Sequence, residues 1–185
     1  MKYYFIILLL LFTSSCSHNR RGNNSAYENG QKISGKVIKI IDGDTYDLLT
    51  DDKKTIRVRM EGIDAPEKGM PYYKASKNHL GSLCMNQRIE VVKTGEDKYG
   101  RMLAFSYLPD GSELGHLMIA AGMAWHFKKY NDDEDLAALE IEARKNKAGL
   151  WAENCPIPPW EVRRLQREGM SNDEIYAEYR YSYCN

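Results

Sequence analysis

Apolar and polar residues alternate along several short stretches after residue 34, which is the pattern of half-buried β-strands. The stretch TIRVRM places Ile56, Val58 and Met60 on one face and Arg57 and Arg59 on the other. We predict that this strand is the third of five, and that the first three form an antiparallel meander joined by short turns. The other four predicted strands are GKVIKI, TYDLL, RIEVVKT and RMLAFSYL.

Longer segments with helical spacing lie between and after these strands. They cover residues 72–86, 113–125 and 133–147. Short strands with interleaved helices indicate an α+β fold that is mainly β, namely a five-stranded OB-like Greek-key barrel with about three covering helices. The segment EGIDAPEKGMP, which follows the third strand, is rich in glycine and proline and is predicted to be a loop.

The first 16 residues, MKYYFIILLLLFTSSC, have a different character. One lysine precedes an apolar run over residues 3–12, which is too short to cross a bilayer as a helix and is typical of a secretory signal peptide. The small-small-cysteine ending resembles the lipobox of bacterial lipoproteins, with cleavage after a small residue as the alternative. We therefore expect an exported protein, held on a membrane of the bacterial cell envelope by a lipid on Cys16 or otherwise secreted.

The rest of the chain divides into three parts. Residues 17–33 are polar and lack periodicity, as expected of a flexible tether. Residues 34–160 hold the predicted strands and helices and form one domain, since 185 residues suffice for a single sizeable core. Residues 161–185 form a C-terminal tail whose tyrosines either stack on bases or pack on the barrel, and we favour packing.

Two acidic clusters are the first candidates for chemistry. Asp42 and Asp44 flank a glycine at the end of the first strand, and Asp64 and Glu67 lie around Pro66 in the predicted loop. Proline stiffens that loop, and carboxylates with backbone carbonyls suit Ca²⁺ better than Zn²⁺. The sequence therefore predicts a cation site, with a simple Asp-Gly hairpin turn as the alternative.

Arginines are the second set of candidates, because the chain as a whole does not attract polyanions. Lys and Arg together number 26, as do Asp and Glu, so any nucleic acid must be held by a local basic cluster. A metal ion and converging arginines are suited to phosphoryl chemistry. Arg57, Arg59 and Arg101 are candidates, and strand parity alone leaves both Arg57 and Arg59 open.

Several motifs, taken in their order along the chain, resemble those of a known protein family. IDGDT, RMEGIDAPE and DKYGRMLA, followed by GMAW, EARKNKAGLW and PPW, resemble the staphylococcal nuclease (thermonuclease) family over residues 34–160. The resemblance implies a monomeric Ca²⁺-dependent nuclease that hydrolyses phosphodiester bonds of DNA and RNA with little sequence preference and leaves 3′-phosphates. The alternatives are a nucleic-acid-binding barrel without catalysis and a Ca²⁺-binding adhesive lipoprotein.

The same resemblance assigns a metal site and a base. Asp44, Asp64 and the backbone carbonyl of Ala65 are implied as the Ca²⁺ ligands, and Asp42 is expected just beyond them. Glu67 is implied as the general base that acts on a water molecule.

Phosphate-binding and substrate-binding residues also follow from the resemblance. It selects Arg59, five residues before the second acidic motif, and Arg101 as the two arginines that stabilise phosphoryl oxygens. Lys98 and Tyr99 are implied to hold the terminal phosphate of a bound nucleotide. Tyr130, by a looser alignment, is implied as a tyrosine on the substrate side.

The cysteines allow at most one intramolecular disulfide if Cys16 is lipidated. Cys84 lies in an apolar helical segment and is predicted to be a buried free thiol. Cys155 and Cys184 lie in irregular segments of a protein expected to meet oxidising conditions, and we predict that they pair.

Overall fold

A computed structural model describes residues 29–183, in which five strands close into a barrel. A separate ladder of two very short strands lies beside it. The strands are β1 (Lys32–Ile40), β2 (Thr45–Thr50), β3 (Thr55–Met60), β4 (Ile63–Asp64), β5 (Arg88–Glu96), β6 (Met102–Tyr107) and β7 (Trp125–His126). The α-helices are α1 (Tyr73–Cys84), α2 (Leu114–Ala120), α3 (Glu134–Lys145), α4 (Pro159–Arg167) and α5 (Asn172–Tyr183), and a 3-10 turn spans Gly149–Ala152.

The barrel has the order β1-β2-β3-β6-β5 and closes where β5 pairs with β1. The predicted meander is confirmed, because β1–β2 and β2–β3 are both antiparallel. Strands β3 and β6 run parallel, with Val58 opposite Met102 and Arg59 opposite Leu103. The prediction of a mainly β, OB-like barrel with covering helices is therefore confirmed.

The helices differ from the prediction in two places. The predicted helix over residues 113–125 ends at Ala120, because Gly122 has a φ of 64° and any side chain there would overlap the carbonyl oxygen of Ala148. Trp125 then pairs with Asp64 in the β4–β7 ladder rather than continuing the helix. Helices α4 and α5 are additional to the three that the sequence predicted.

The main core fills the barrel and the space beneath the first helices. Its fully buried members include Val37, Tyr46 and Leu48 from the sheet and Leu80 and Met118 from α1 and α2. This packing fixes the ends of β1, β2 and β3, from which the loops of the candidate site emerge.

The described part of the tail packs on the domain, but its tyrosines differ: Tyr176 and Tyr179 are partly buried there, whereas Tyr181 is 79% exposed. Val162 and Leu165 of α4 and Ile175 of α5 form a second buried cluster with Met70, which precedes α1. This cluster holds α4 beside the segment between β4 and α1.

The described residues include two of the four cysteines on which the disulfide and export predictions depend. Cys84 is a buried free thiol, as predicted, and Cys155 is disulfide-bonded. Cys16, Cys184 and the predicted signal peptide lie outside the described residues, so the lipid anchor and the Cys155–Cys184 pairing stay predictions. Between residues 29 and 183, no helix combines the length and the apolar character needed to cross a bilayer.

Candidate active site

The loop between β1 and β2 is built around a glycine that has no room for a side chain. A Cβ on Gly43 would overlap the hydroxyl of Ser76 on α1 and lie 2.8 Å from the Cβ of Ala65. The amide of Asp44 donates to Oδ1 of Asp42 at 3.1 Å, which stabilises the turn. The loop is therefore packed between α1 and the segment after β4, and the amide of Ala65 holds Asp44 against that segment.

Asp44 and Asp64, the two predicted metal ligands, converge on one guanidinium. Asp44 accepts hydrogen bonds from the amide of Ala65 at 2.7 Å and from the hydroxyl of Thr45 at 2.9 Å. Arg59 Nε lies 3.1 Å from Asp44 Oδ1, and Arg59 Nη2 donates to Asp64 Oδ1 at 3.0 Å. Asp44 is only 5% exposed and Asp64 1% exposed. Two carboxylates buried so close together need a positive charge beside them, and Arg59 supplies it.

Arg59, rather than Arg57, points into this site. Nη1 of Arg59 also donates to the backbone carbonyls of Met60 at 2.6 Å and Ile63 at 2.7 Å. Arg57 instead donates two hydrogen bonds to Asp47 on the neighbouring strand β2, from Nε to Oδ1 at 2.8 Å and from Nη2 to Oδ2 at 3.1 Å. The structure therefore separates the two arginines that strand parity alone could not distinguish.

A tight turn between β5 and β6 positions the second predicted arginine. Asp97 accepts from the amides of Tyr99 at 2.8 Å and Arg101 at 3.0 Å, and from Nε of Arg101 at 2.6 Å. Burial opposes ionisation of Asp97, but these hydrogen bonds outweigh it and lower its pKa. The charged groups of Lys98 and Arg101 lie 5.0 and 5.6 Å from the ring centre of Tyr99, which is 72% exposed.

The sequence did not indicate a further arginine that lies directly on the site. Nη2 and Nη1 of Arg163, on α4, donate to the two carboxylate oxygens of Asp64 at 2.7 and 3.1 Å, and Nη1 donates to Glu67 at 2.6 Å. The spacing of Val162 and Leu165 is compatible with one face of a helix, but it gives no indication of the surface that the helix covers. The contact joins residues 99 apart in sequence, which local patterns do not predict.

Negative charge exceeds positive charge in the cluster of carboxylates around Arg59 and Arg163, although six acidic and six basic residues line the cleft as a whole. Burial, with the nearby charge of Asp44, raises the pKa of Asp42 to about 7. Burial also raises the pKa of Asp64, although hydrogen bonds from Arg163 oppose the rise. When all are ionised, the carboxylates outnumber the guanidiniums by two; they are Asp42, Asp44, Asp64 and Glu67, against Arg59 and Arg163.

Hard oxygen donors and this excess charge suit a divalent cation such as Ca²⁺. In residues 29–183, no group of three or more His, Cys, Asp or Glu side chains is arranged to hold a metal ion. The predicted ligand set includes only two such side chains, Asp44 and Asp64, with the carbonyl of Ala65. The residues present therefore fit Ca²⁺ by their chemistry, while Arg163 lies on one of the two carboxylates.

One cleft of about 1200 Å³ brings together every residue predicted to act in metal binding, catalysis or substrate binding. Tyr130, on the segment between β7 and α3, is 67% exposed there. The predicted residues that line the cleft are Asp42, Asp44, Arg59, Asp64, Ala65, Glu67, Lys98, Tyr99, Arg101 and Tyr130.

Comparisons with known proteins agree with the motifs. The family described as "Staphylococcal nuclease homologue" matches residues 57–153. A protein of Escherichia coli O157:H7 named "Uncharacterized endonuclease" is 41% identical over 128 residues, which cover 69% of this chain and 83% of that protein. "Micrococcal nuclease" of Shigella flexneri is 34% identical over 143 residues, covering 72% and 82% of the two chains. A staphylococcal-like nuclease of Arabidopsis thaliana is 38% identical over 116 residues, covering 63% of this chain and 36% of its own. This chain belongs to the staphylococcal nuclease family.

Proposed function

We propose that this protein is a Ca²⁺-dependent nuclease that hydrolyses phosphodiester bonds of DNA and RNA with little sequence preference and leaves 3′-phosphates. The observation that carries the proposal is the meeting of Asp44, Asp64, Arg59 and Glu67 at one cleft. Family membership and the names of the relatives support the class of reaction.

Asp44, Asp64 and the carbonyl of Ala65 would hold the cation. The chemistry that Ca²⁺ supplies there is neutralisation of charge on a phosphoryl oxygen. The two aspartates would fix the position of the cation, because both are nearly inaccessible to water and are paired with the same guanidinium, that of Arg59.

Glu67 is suited to act on water because its carboxylate is partly exposed at the cleft, unlike the buried aspartates. In this role it orients a water molecule and accepts its proton as the water attacks phosphorus. As the water oxygen bonds to phosphorus, its proton moves to a carboxylate oxygen of Glu67 and the bond between phosphorus and the 5′-oxygen breaks. The 5′-oxygen leaves with the next nucleoside and takes a proton from solvent, and the phosphate stays on the 3′-oxygen.

Arg59 and Arg101 differ in how many of their N–H groups remain free to bind substrate. Three hydrogen bonds and an ion pair join Arg59 to protein oxygens, so its guanidinium is held in one orientation. The terminal amino groups of Arg101 have no hydrogen-bond partner among residues 29–183, since only its Nε bonds to Asp97. We assign both arginines to the phosphoryl oxygens, where charge increases in the transition state.

Substrate contacts at the rim favour low sequence specificity. Tyr99 and Tyr130 are largely exposed on the cleft, and Lys98 lies beside the first of them. Aromatic stacking and a nearby ammonium bind bases and phosphates of any sequence, because every base has a stacking face.

Digestion of labelled single-stranded DNA and RNA by the purified domain tests the proposal. Cleavage of both substrates should require Ca²⁺, stop with a calcium chelator and return when Ca²⁺ is restored. Phosphatase treatment should convert the new 3′-phosphates to hydroxyls, detected by a mobility shift. Full activity in chelator would contradict the metal assignment, and binding without cleavage would favour the inactive barrel.

We also propose that the protein is exported and lipid-anchored through Cys16, which is supported by the sequence of the first 16 residues. Cys16→Ala should abolish incorporation of a labelled fatty acid in cells. Unchanged membrane attachment of that variant would contradict a lipid anchor at Cys16.

A further inference from the structure

Helix α4 is held against the cleft by contacts on two sides. Val162 and Leu165 are buried in the cluster with Met70. Trp160 stacks on Phe127, which lines the cleft, with ring centres 5.7 Å apart and planes inclined by 6°. The helix lies beyond residues 57–153, the part that matches the family, and it nevertheless places an arginine at the centre of the site.

Arg163 covers the oxygens that a cation would need. Its fork spans both carboxylate oxygens of Asp64, and Arg59 donates to only one of them, Oδ1. Among the described residues, Oδ2 accepts only from Arg163, and Arg163 Nη1 also occupies Oε1 of Glu67. A two-pronged guanidinium–carboxylate pair is among the stronger charge-assisted contacts in proteins.

We propose that Arg163 is the counter-ion of Asp64 and Glu67 in the metal-free protein, and that it competes with Ca²⁺ for Asp64. The inference rests on the proposed Ca²⁺ dependence. A guanidinium and a divalent cation on the same carboxylate repel each other, so binding of one weakens binding of the other. Departure of Arg163 from Asp64 also loosens its hold on Glu67, which frees that carboxylate for water.

The neighbouring arginine provides a matched control. Arg164 is on the same helix and pairs with Glu161 at 2.9 Å and Glu168 at 2.8 Å, and it does not line the cleft. Arg164→Ala removes the same charge from α4 without touching Asp64 or Glu67. Arg163→Ala leaves the buried residues Val162 and Leu165 in place, so the helix keeps its apolar anchor.

Calorimetric titration with CaCl₂, without nucleic acid, tests the proposal on the wild-type chain, Arg163→Ala and Arg164→Ala. An adjacent arginine lowers the proton affinity of a carboxylate by about 1–3 pKa units, so we expect Arg163→Ala to tighten Ca²⁺ binding by about tenfold or more. Arg164→Ala should bind Ca²⁺ like the wild type. Arg163→Gln, which keeps most of the side-chain volume, serves as a second variant if Arg163→Ala does not fold, and its Ca²⁺ affinity should also rise.

Each result has a distinct meaning. Equal or weaker Ca²⁺ affinity in folded Arg163 variants would overturn the competition, while leaving Ca²⁺ dependence intact. Absence of Ca²⁺ binding in every protein would overturn the proposed metal and, with it, this inference. Cleavage of single-stranded DNA by the same variants measures KM, and a raised KM with an unchanged Ca²⁺ affinity would place Arg163 on the substrate and overturn its role as competitor.

Discussion

Arg59 combines a structural and a proposed chemical task in one side chain. Truncation to Ala leaves the carbonyls of Met60 and Ile63 without their donor, and leaves Asp44 and Asp64 with less counter-charge. We expect Arg59→Ala to lower kcat by about 10²–10³-fold, as for loss of one oxyanion donor. A lower Tm should accompany this loss because buried acceptors become unpaired.

Arg57→Ala is the control for that experiment. Arg57 pairs with Asp47 on the neighbouring strand β2 and does not line the cleft, so kcat should remain near the wild-type value. Steady-state cleavage of a fluorogenic oligonucleotide measures both variants. A greater loss of kcat from Arg57→Ala than from Arg59→Ala would contradict the assignment.

Glu67 allows a more selective substitution. Glu67→Gln retains an oxygen that can accept from Arg163 but removes the proton acceptor. We expect kcat to fall by about 10²–10⁴-fold, the usual contribution of a general base, while binding of single-stranded DNA persists. Single-turnover cleavage and fluorescence anisotropy measure the two quantities, and near-normal cleavage would exclude Glu67 as the base.

At the scale of elements, the approach of α1 to the loop before β2 sets the position of Asp44. Gly43→Ala would force Ser76 and Ala65 apart, with an expected loss of about 1–3 kcal/mol of folding stability from overpacking. Cleavage should also fall because Asp44 moves with its neighbour. Urea unfolding and activity assays measure both effects.

Gly81→Ala is the matched control in α1 itself. Its added Cβ would meet only Ile40, at an ordinary 3.7 Å, so the variant should gain about 0.5–1 kcal/mol from the better helix propensity of alanine. A Gly43→Ala protein as stable and active as Gly81→Ala would show that the close contact at Gly43 is unimportant.

Elements with a local signature were predictable, and those defined by distant partners were not. The barrel strands were predicted because residues such as Ile56 and Val58 alternate with polar neighbours. Strands β4 and β7 have two residues each and show no periodicity. Apolar GMAW extended the predicted second helix too far, since the close backbone contact at Gly122 depends on Ala148.

The candidate site divides in the same way. Asp44, Asp64 and Glu67 were identified because each lies in a short motif, and the resemblance gave those motifs their roles. Arg163 was missed because its place depends on how α4 docks through Val162, a contact between distant parts of the chain.

At the scale of the whole molecule, burial in the core controls the ionisation and reactivity of the Cys84 thiol. Burial raises the pKa of Cys84 to about 12. The Cys84 thiol therefore stays protonated in the folded protein at pH values where it is already ionised in the unfolded chain. The free energy of unfolding should then fall as pH rises from about 9 towards 12. At pH 8 in the native state, Cys84 should not react with iodoacetamide, whereas it should react in denaturant.

Mass spectrometry of non-reduced peptides checks that labelling and the predicted cysteine pair together. Cys155 should be found linked to Cys184, and Cys84 should carry the alkyl group only after unfolding. Labelling of Cys84 in the native protein, or a peptide with unpaired Cys184, would contradict the respective prediction.

The parallel ladder between β3 and β6 has a consequence for how folding and activity are related. It places Arg59 opposite Leu103, and Arg101 immediately precedes β6, so this ladder of the barrel also sets the two arginines in register. Such a non-local contact forms only after a large loop has been closed, at a cost in chain entropy. A barrel that opens between these strands therefore loses the alignment of its arginines at the same moment. Partly opened molecules would then be inactive, and loss of activity on unfolding should track the loss of the closed barrel.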